Sequence, residues 1–144
     1  MEENNMTNLK EIKEAFSSSH KDRIYLLDKK TMKVIEVSSD DEEELKLEIA
    51  QKVQREPDRF LNIPKRSASS SYNDMVEFIH TNISSKGLIA KLEKAIASER
   101  SAFARFKDVL SVEDPEILRA WYSFADQKIE KELLIFLREN NVNI

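Results

Sequence analysis

Several kinds of residue are scarce in this 144-residue chain, and each scarcity excludes a class of protein. There is no cysteine and there are only two histidines. A disulfide framework, a thiolate site and a zinc site of the usual Cys and His ligands are therefore excluded. The single glycine is Gly87, whereas a phosphate-binding loop needs several glycines so that backbone amides can approach the ligand. P-loop and dinucleotide-binding enzymes are therefore excluded as well, and no cofactor is predicted.

Long apolar runs and a basic amino terminus are also missing. No apolar run approaches the roughly 20 residues that are needed to cross a bilayer. The opening stretch, MEENNMTNLKEIKE, is acidic and polar, unlike the basic start and apolar core of a secretory signal. Together with the lack of cysteine, these features predict a cytoplasmic protein that has no membrane partner.

Charge is mild in total and uneven along the chain. The formal net charge of −4 argues weakly against a nucleic-acid-binding protein, whose affinity depends on cations placed against phosphates. The stretch Asp40–Glu44 is strongly acidic, whereas the segment 86–107 is basic. The cations of that segment are Lys86, Lys91, Lys94, Arg100, Arg105 and Lys107. Such polarity is compatible with a charged partner or with self-association, although most charge runs are solvated helix faces.

Two β-rich runs predict a hairpin. They are Arg23–Leu27 and Lys33–Val37, and they flank the polar stretch Asp28–Met32. Because this stretch lacks glycine, we expect a longer loop in place of a tight two-residue turn. The segment 58–64, DRFLNIP, is predicted to be extended, since the residue before a proline avoids helical backbone. It is expected to add an edge strand beside the hairpin.

Apolar periodicity and capping residues predict six helices. Thr7 is the predicted cap of a short first helix. Ser39 or Asp40 is the predicted cap of a second, which Pro57 ends. The remaining four are placed at about 72–81, 86–97, 101–110 and 115–139. The last of them has Asp114 as its cap and a proline at the first helical position.

The long final helix has a wide apolar arc on a helical wheel. The arc includes Trp121, Leu118, Ala125, Tyr122, Ile129, Phe136 and Leu133. Lys128 and Glu132 interrupt it and are spaced four apart, as an ion pair would be. An arc of this width predicts that the helix is covered from two directions. Two interpretations stay open, an ordinary buried helix and a helix that also packs against a second subunit of a homodimer.

The chain is predicted to form one domain, 1–144, because its length supports a substantial core. A serine-rich stretch, 65–71, separates a hairpin-containing half, 1–64, from an all-helical half, 72–144. That stretch is interpreted either as an ordered internal loop or as a flexible joint.

The segment AFARFKDVL interleaves aromatic and cationic residues. On a helical wheel, Phe103 and Phe106 fall within one apolar stripe. Arg105 and Asp108 fall on the opposite face, three residues apart, as a surface pair. Lys107 lies at the border beside Phe103, with its stem over apolar surface and its ammonium expected to meet a carboxylate. The pattern favours a core helix over a base-stacking platform, which needs aromatic rings exposed beside cations.

No catalytic arrangement can be recognised in the chain. Serines are plentiful, but there is no G-x-S-x-G elbow and no distinctive Ser, His and Asp spacing. The consecutive carboxylates Asp40–Glu44 stand at a helix start, where they point in different directions and stabilise the helix dipole. His80 lies near the negative end of its helix and is expected to stabilise that end. We therefore predict no catalytic residue and no metal ligand, and an enzyme is left open as the less favoured class.

Five stretches occur in a distinctive order: IYLLD, KVIEV, DRFLNIP, AFARFKDVL and AWYSFADQKI. Over nearly the whole chain, they resemble uncharacterised protein family 0158 of the UPF series, whose members are small bacterial proteins. The matching positions are Tyr25, Leu26 and Asp28; Arg59, Phe60, Ile63 and Pro64; Phe103, Phe106, Lys107 and Asp108; and Trp121, Tyr122 and Phe124. Relatives often carry glycines near Glu99 and Ser101, an arginine at Ala104 and a glycine at Met32. The resemblance implies one compact domain in a cytoplasmic bacterial protein and no particular function.

The sequence as a whole predicts an α+β fold with a small antiparallel sheet centred on the N-terminal hairpin. A C-terminal helical layer is expected to pack through Phe103, Phe106, Trp121 and Phe124.

Three functions stay open. The leading hypothesis is a non-catalytic interaction or regulatory module that binds a protein partner, which could be a second copy of itself. The second is nucleic-acid binding through 86–107, with Arg105 on phosphate, and the third is an enzyme with a site near Arg59, Lys107 and Asp108. The candidate binding surface consists of Arg59, Arg105, Lys107, Asp108 and Tyr122.

Overall fold

A computed structural model describes residues 2–18 and 20–143, and the side chains that it describes begin at Leu9. Its elements are α1 (Glu2–Phe16), β1 (Arg23–Asp28), β2 (Lys33–Ser38), α2 (Glu43–Arg55), β3 (Phe60–Ile63), α3 (Ala68–Asn82), α4 (Lys86–Ala95), α5 (Ala102–Glu113) and α6 (Pro115–Glu139). The three strands form one antiparallel sheet. The fold is therefore α+β, as predicted.

The chain divides into two compact units. The sheet unit comprises Met1–Arg66 and Glu132–Ile144, and the helical unit comprises Ser67–Lys131. The division falls within the serine-rich stretch, of which residues 65–67 are irregular and residues 68–71 form the first turn of α3. Ser67 is the N-cap of that helix, and its side chain accepts a hydrogen bond from the N–H of Ser70. The end of α6 belongs to the sheet unit.

The sheet has the strand order β2-β1-β3, and the predicted hairpin and edge strand are both confirmed. The hairpin loop forms without glycine, although Met32 adopts a left-handed backbone with φ of 60°. Asp28 supplies the hydrogen bonds that such a loop needs. Its Oδ1 accepts from the N–H of Lys30 at 3.0 Å and from that of Thr31 at 3.4 Å.

The core of the sheet unit lies between α1 and one face of the sheet. Side chains alternate between the two faces of a strand, so Tyr25 and Leu27 of β1 point to the same side, where both are buried. On α1, Ile12 and Phe16 are buried as well, and the helix packs on β2 and β3. The predicted cap was wrong, because α1 begins at Glu2 and position 7 lies inside the helix.

The predicted caps of α2 were also wrong, whereas its end before the proline is confirmed. The helix begins at Glu43, and Glu42 occupies the N-cap position without a side-chain hydrogen bond. Upstream, Ser38 and Asp41 take part in a competing turn: the N–H of Ser38 donates to Oδ2 of Asp41 at 2.8 Å. Ser, Asn and Asp side chains often divert a chain from helix in this way. The N-cap of α2 therefore lies two or three residues after the predicted positions.

An aromatic cluster forms the core of the helical unit. The Trp121 ring centroid lies 4.9 Å from that of Phe106 and 5.4 Å from that of Phe78, both in edge-on arrangements. Phe106 and Trp121 are fully buried, as predicted, but Phe103 is 45% exposed. The buried stripe of α5 centres on Phe106, and Phe103 lies about 60° away from it on the helix, at the edge of the stripe. The prediction that Phe103 belongs to the core was therefore wrong.

The final helix, α6, has the bounds that the sequence predicts, and Oδ1 of Asp114 accepts hydrogen bonds from the first helical N–H groups. Its apolar arc serves two cores. Trp121 is buried in the helical unit, whereas Leu133 and Leu137 are buried in the part that belongs to the sheet unit. The width of the arc therefore does not require a second subunit.

The ion pair predicted within α6 was wrong, because both partners pair elsewhere. Lys128 pairs with Glu77 of α3, at 2.7 Å between Nζ and Oε2. Glu132 accepts a hydrogen bond from Nε of Arg66. Neighbouring elements thus offer partners that the spacing along one helix cannot reveal.

The two phenylalanines of α5 offer a matched test of this packing. We expect Phe106→Ala to lower the free energy of unfolding of the helical unit by about 3–5 kcal/mol, because it leaves a cavity in the aromatic cluster. Phe103→Ala should cost less than about 1 kcal/mol. The measurement is urea unfolding followed by tryptophan fluorescence, since the single tryptophan, Trp121, belongs to this unit. Equal losses for the two variants would contradict the assignment.

Candidate functional site

A groove runs along α4 and α5 of the helical unit. It is lined by Lys91, Lys94 and Ala95 of α4 and by Arg105, Asp108, Val109, Val112 and Glu113 of α5, and its volume is about 570 Å³. We call it the α4–α5 groove. Residues three or four apart lie on the same face of a helix, and this spacing aligns the contributing side chains of each helix along the groove.

The floor of the groove is apolar. Val112 is 81% exposed, Val109 is half-buried and Ala95 is buried. An isolated exposed valine is ordinary on a protein surface, but here it adjoins further apolar atoms within a concave surface. The floor therefore offers apolar area that a partner would remove from water.

Cationic side chains form the rim on the α4 side. Nζ of Lys91 pairs with Oε1 of Glu113 across the groove at 2.5 Å, and both side chains remain accessible to solvent. Among the described residues, Lys94 has no ion pair or side-chain hydrogen bond. The free cation is therefore Lys94, whereas Lys91 already has a carboxylate partner.

Arg105 is tied to the end of α4. Its Nε donates to the carbonyl oxygen of Ala95 and its Nη2 to that of Ser98, both at 2.7 Å. The last carbonyls of a helix lack intrahelical partners, and a guanidinium can satisfy several of them at once. The prediction that Arg105 pairs with Asp108 on the solvent face was therefore wrong, because the unpaired carbonyls of α4 lie within reach.

Lys107 lies outside the α4–α5 groove. Its ammonium nitrogen lies 4.8 Å from the centroid of the Phe103 ring, a cation–π contact. The expected carboxylate partner is not found among the described residues, because the exposed ring of Phe103 takes its place. The helical wheel missed this arrangement, in which an aromatic side chain is exposed beside a cation.

Arg59 belongs to the sheet unit, where all three nitrogens of its guanidinium donate hydrogen bonds to carboxylates. Its Nε and Nη2 donate to the two carboxylate oxygens of Asp28 at 2.8 Å each, and Nη1 donates to Glu56 at 2.7 Å. Asp28 is only 6% exposed. The Arg59 guanidinium holds the pKa of the Asp28 carboxyl well below its usual range, and Asp28 in turn raises the pKa of Arg59. This geometry makes the pair a structural tie.

Of the five candidate residues, Arg105 and Asp108 line one groove. Tyr122 is 51% exposed on α6 and does not line that groove. Lys91 and Lys94 were noted only as cations of the basic segment, and sequence reasoning missed Val109, Val112 and Glu113 as lining residues. One signal was available: Val112 lies on the side of α5 opposite Phe103, an apolar residue on an otherwise polar face. It was overlooked because the predicted helix ended at Leu110.

No three His, Asp or Glu side chains in the described part of the chain come together as the ligands of a metal ion would. None of its helices combines the length and the apolar character that a membrane span requires.

Fold and site together define an α+β protein whose helical unit carries an apolar groove with a cationic rim. The chain belongs to the uncharacterised protein family UPF0158, whose model matches residues 4–144. The resemblance predicted from the motifs is thus confirmed over nearly the whole chain. No curated protein and no solved structure matches this chain.

The tie between Asp28 and Arg59 makes the stability of the sheet unit dependent on pH. Because the folded-state pKa of Asp28 is lowered, its contribution is complete above the unfolded pKa of about 4 and is lost as the pH falls below it. We expect Asp28→Asn to lower the free energy of unfolding by about 2 kcal/mol near neutral pH. It should have a smaller effect near pH 3.

Urea unfolding of the sheet unit, followed by the methyl resonances of Leu27, measures both effects. Asp58→Asn is the matched control, since Asp58 is an exposed carboxylate one residue before Arg59. If both variants respond to pH as the natural protein does, the pair does not contribute the stability assigned to it.

Proposed function

We propose that the protein is a non-catalytic interaction module whose α4–α5 groove binds an acidic, amphipathic segment of another protein. The observation that carries the proposal is the exposed apolar floor at Val112, flanked by the free cation Lys94. A helical segment of the partner would place apolar side chains on this floor, the mode in which many amphipathic helices bind.

The floor and the rim would contribute in different ways. Covering Val109 and Val112 removes apolar area from water, at about 25 cal/mol per Å². The area is modest, so the floor alone supports a weak complex. A carboxylate of the partner would meet Lys94 without breaking an existing ion pair, whereas Lys91 is already engaged by Glu113. Charges at a rim mainly accelerate association and select the partner.

The charge of the surrounding segment supports an acidic partner. The segment 86–107 carries an excess of cations, and α4 and the start of α5 lie within it. An excess of cations favours the approach of an anionic partner from a distance.

Nucleic acid fits the same charge less well. Two guanidinium nitrogens of Arg105 donate to carbonyl oxygens of α4 and its C-terminal extension, which leaves this side chain little capacity for phosphate. The exposed ring of Phe103 is covered on one face by the ammonium of Lys107, so a base could stack only on the other. These contacts favour a protein partner.

An enzyme site finds less support in the same contacts. Arg59 donates to Asp28 and Glu56 through all three of its nitrogens. Of the other two residues of that hypothesis, Asp108 lines the α4–α5 groove and Lys107 does not. No catalytic role follows from these positions.

A photoreactive amino acid placed at Val112 tests the proposal in cells of the source organism. We expect it to form a covalent adduct with one polypeptide on irradiation, because the side chain would lie inside the complex. The same amino acid at Ala104, an exposed position of α5 outside the groove, should form no such adduct. The readout is mass spectrometry of the adducts.

Charge-reversal variants show whether the rim selects the partner. Lys94→Glu should reduce the adduct by about tenfold, whereas Lys86→Glu, with the same change in net charge, should leave it nearly unchanged. An adduct that nuclease removes would favour nucleic-acid binding. Equal adducts at positions 112 and 104, or none at 112, would overturn the proposal.

A further inference from the structure

The outer edge of β2 has no neighbouring strand among the described residues, since β2 is the end strand of the order β2-β1-β3. In an antiparallel pair, successive residues direct their backbone groups alternately toward the partner strand and away from it. The N–H of Ser39 donates to the carbonyl of Asp22 at 3.0 Å, which sets this alternation. Ile35 and Val37 lie four and two residues before Ser39. Their backbone groups are therefore hydrogen-bonded to β1.

The alternate residues Val34, Glu36 and Ser38 direct their backbone groups outward. Of these, Ser38 has its N–H occupied by the carboxylate of Asp41 at 2.8 Å, which closes one end of the edge. The N–H and C=O groups of Val34 and Glu36 remain for a further strand. Proteins commonly protect an edge strand from such pairing, and here the carboxylate of Asp41 protects the end at Ser38.

A polar pocket of about 610 Å³ adjoins this edge. Val34 and Glu36 line both the edge and the pocket, and α1 supplies the opposite wall with Glu11 and Glu14. Because Val34 and Glu36 are two apart on the strand, their side chains point to the same face of the sheet. A strand added to β2 would therefore place every second side chain over the pocket.

The charge of the pocket is net acidic. Arg23 and Glu36 pair with each other at 2.7 Å, and Glu36 raises the pKa of the Arg23 guanidinium. Glu11 and Glu14, three apart on α1, have no ion pair with any described residue. A cationic side chain that entered the pocket would find these two carboxylates.

The other face of the sheet is apolar along the same edge. Ile24 is 55% exposed, and it lies opposite Val37 across the hairpin. Ile35 and Val37 are half-buried on that face. The side chains of an added strand that point this way would meet apolar surface.

We propose that the edge of β2 accepts an extended segment of another protein as a fourth strand, with basic side chains on the pocket face and apolar side chains on the other. Backbone hydrogen bonds to Val34 and Glu36 would supply affinity, and the alternation would supply specificity. This site lies in the sheet unit and does not depend on the α4–α5 groove, so either proposal can fail without the other.

A second copy of β2 fits this edge poorly. Antiparallel pairing of two β2 strands about a two-fold axis keeps the same face of each sheet on the same side. The Glu36 side chain of each copy would then lie beside the other copy's acidic pocket, and like charges placed opposite each other destabilise a sheet. The charge therefore favours a basic segment of a different protein.

Titration of the full-length protein with a synthetic peptide tests the inference. The probe is an acetylated and amidated six-residue peptide that alternates lysine with valine. We expect binding to slow hydrogen exchange of the amides of Val34 and Glu36 by about tenfold or more, because a hydrogen-bonded amide exchanges only when the bond opens. The readout is amide-resolved nuclear magnetic resonance.

Two methylated forms of the peptide separate strand addition from simple charge attraction. One is N-methylated at the lysine amides and the other at the valine amides, so the two have the same charge and composition. Only one set of amides can face β2. One form should therefore lose binding and the other keep it. Binding by both forms, or by neither, overturns the proposal.

The acidic pocket is tested by substitution. Combining Glu11→Gln with Glu14→Gln should weaken peptide binding by about tenfold. Glu48→Gln, at an exposed position of α2, should leave it unchanged. A peptide that alternates glutamate with valine should not bind. Equal binding of the two peptides, or dimerisation of the protein through β2, would overturn the assignment of the occupant.

Discussion

The sheet unit depends on one charged contact, the bidentate pair of Asp28 and Arg59. The Asp28 carboxylate also accepts hydrogen bonds from the hairpin loop, at Lys30 and Thr31. A single buried carboxylate thus holds a glycine-free loop in shape and attaches the residue that precedes β3 to the central strand. An unpaired buried charge would cost a large amount of folding free energy. Four hydrogen-bond donors to the Asp28 carboxylate offset that cost.

Arg105 has a comparable role in the helical unit. The carbonyls at the end of α4 lack helical partners, and Arg105 of α5 supplies two donors to that region. This contact holds the two helices together at one end. The residues that follow along α5, Asp108 and Val112, then line the α4–α5 groove. Arg105, which the sequence assigned to a candidate binding surface, thus helps to position the helices that line the groove proposed for binding.

The two proposed binding surfaces differ in chemistry. The α4–α5 groove is apolar with a free cation at Lys94, and it suits an acidic amphipathic segment. The edge of β2 adjoins Glu11 and Glu14, and it suits a basic extended segment. Each is built from one compact unit alone. With opposite charge, the two proposed surfaces would select different partners.

Local sequence determined much of this protein: the hairpin, the strand before Pro64, the end of α2 before Pro57, and both bounds of α6. These features depend on alternation, on proline geometry and on caps such as Asp114, all of which act within a few residues. The tertiary structure alone decided the partners of charged side chains and the exposure of residues at the border of a stripe. Arg105 turns to α4, Lys128 turns to α3, and Phe103 remains exposed beneath Lys107. A helical wheel predicts which side chains share a face of a helix. Which of those side chains become buried depends on how the neighbouring elements pack.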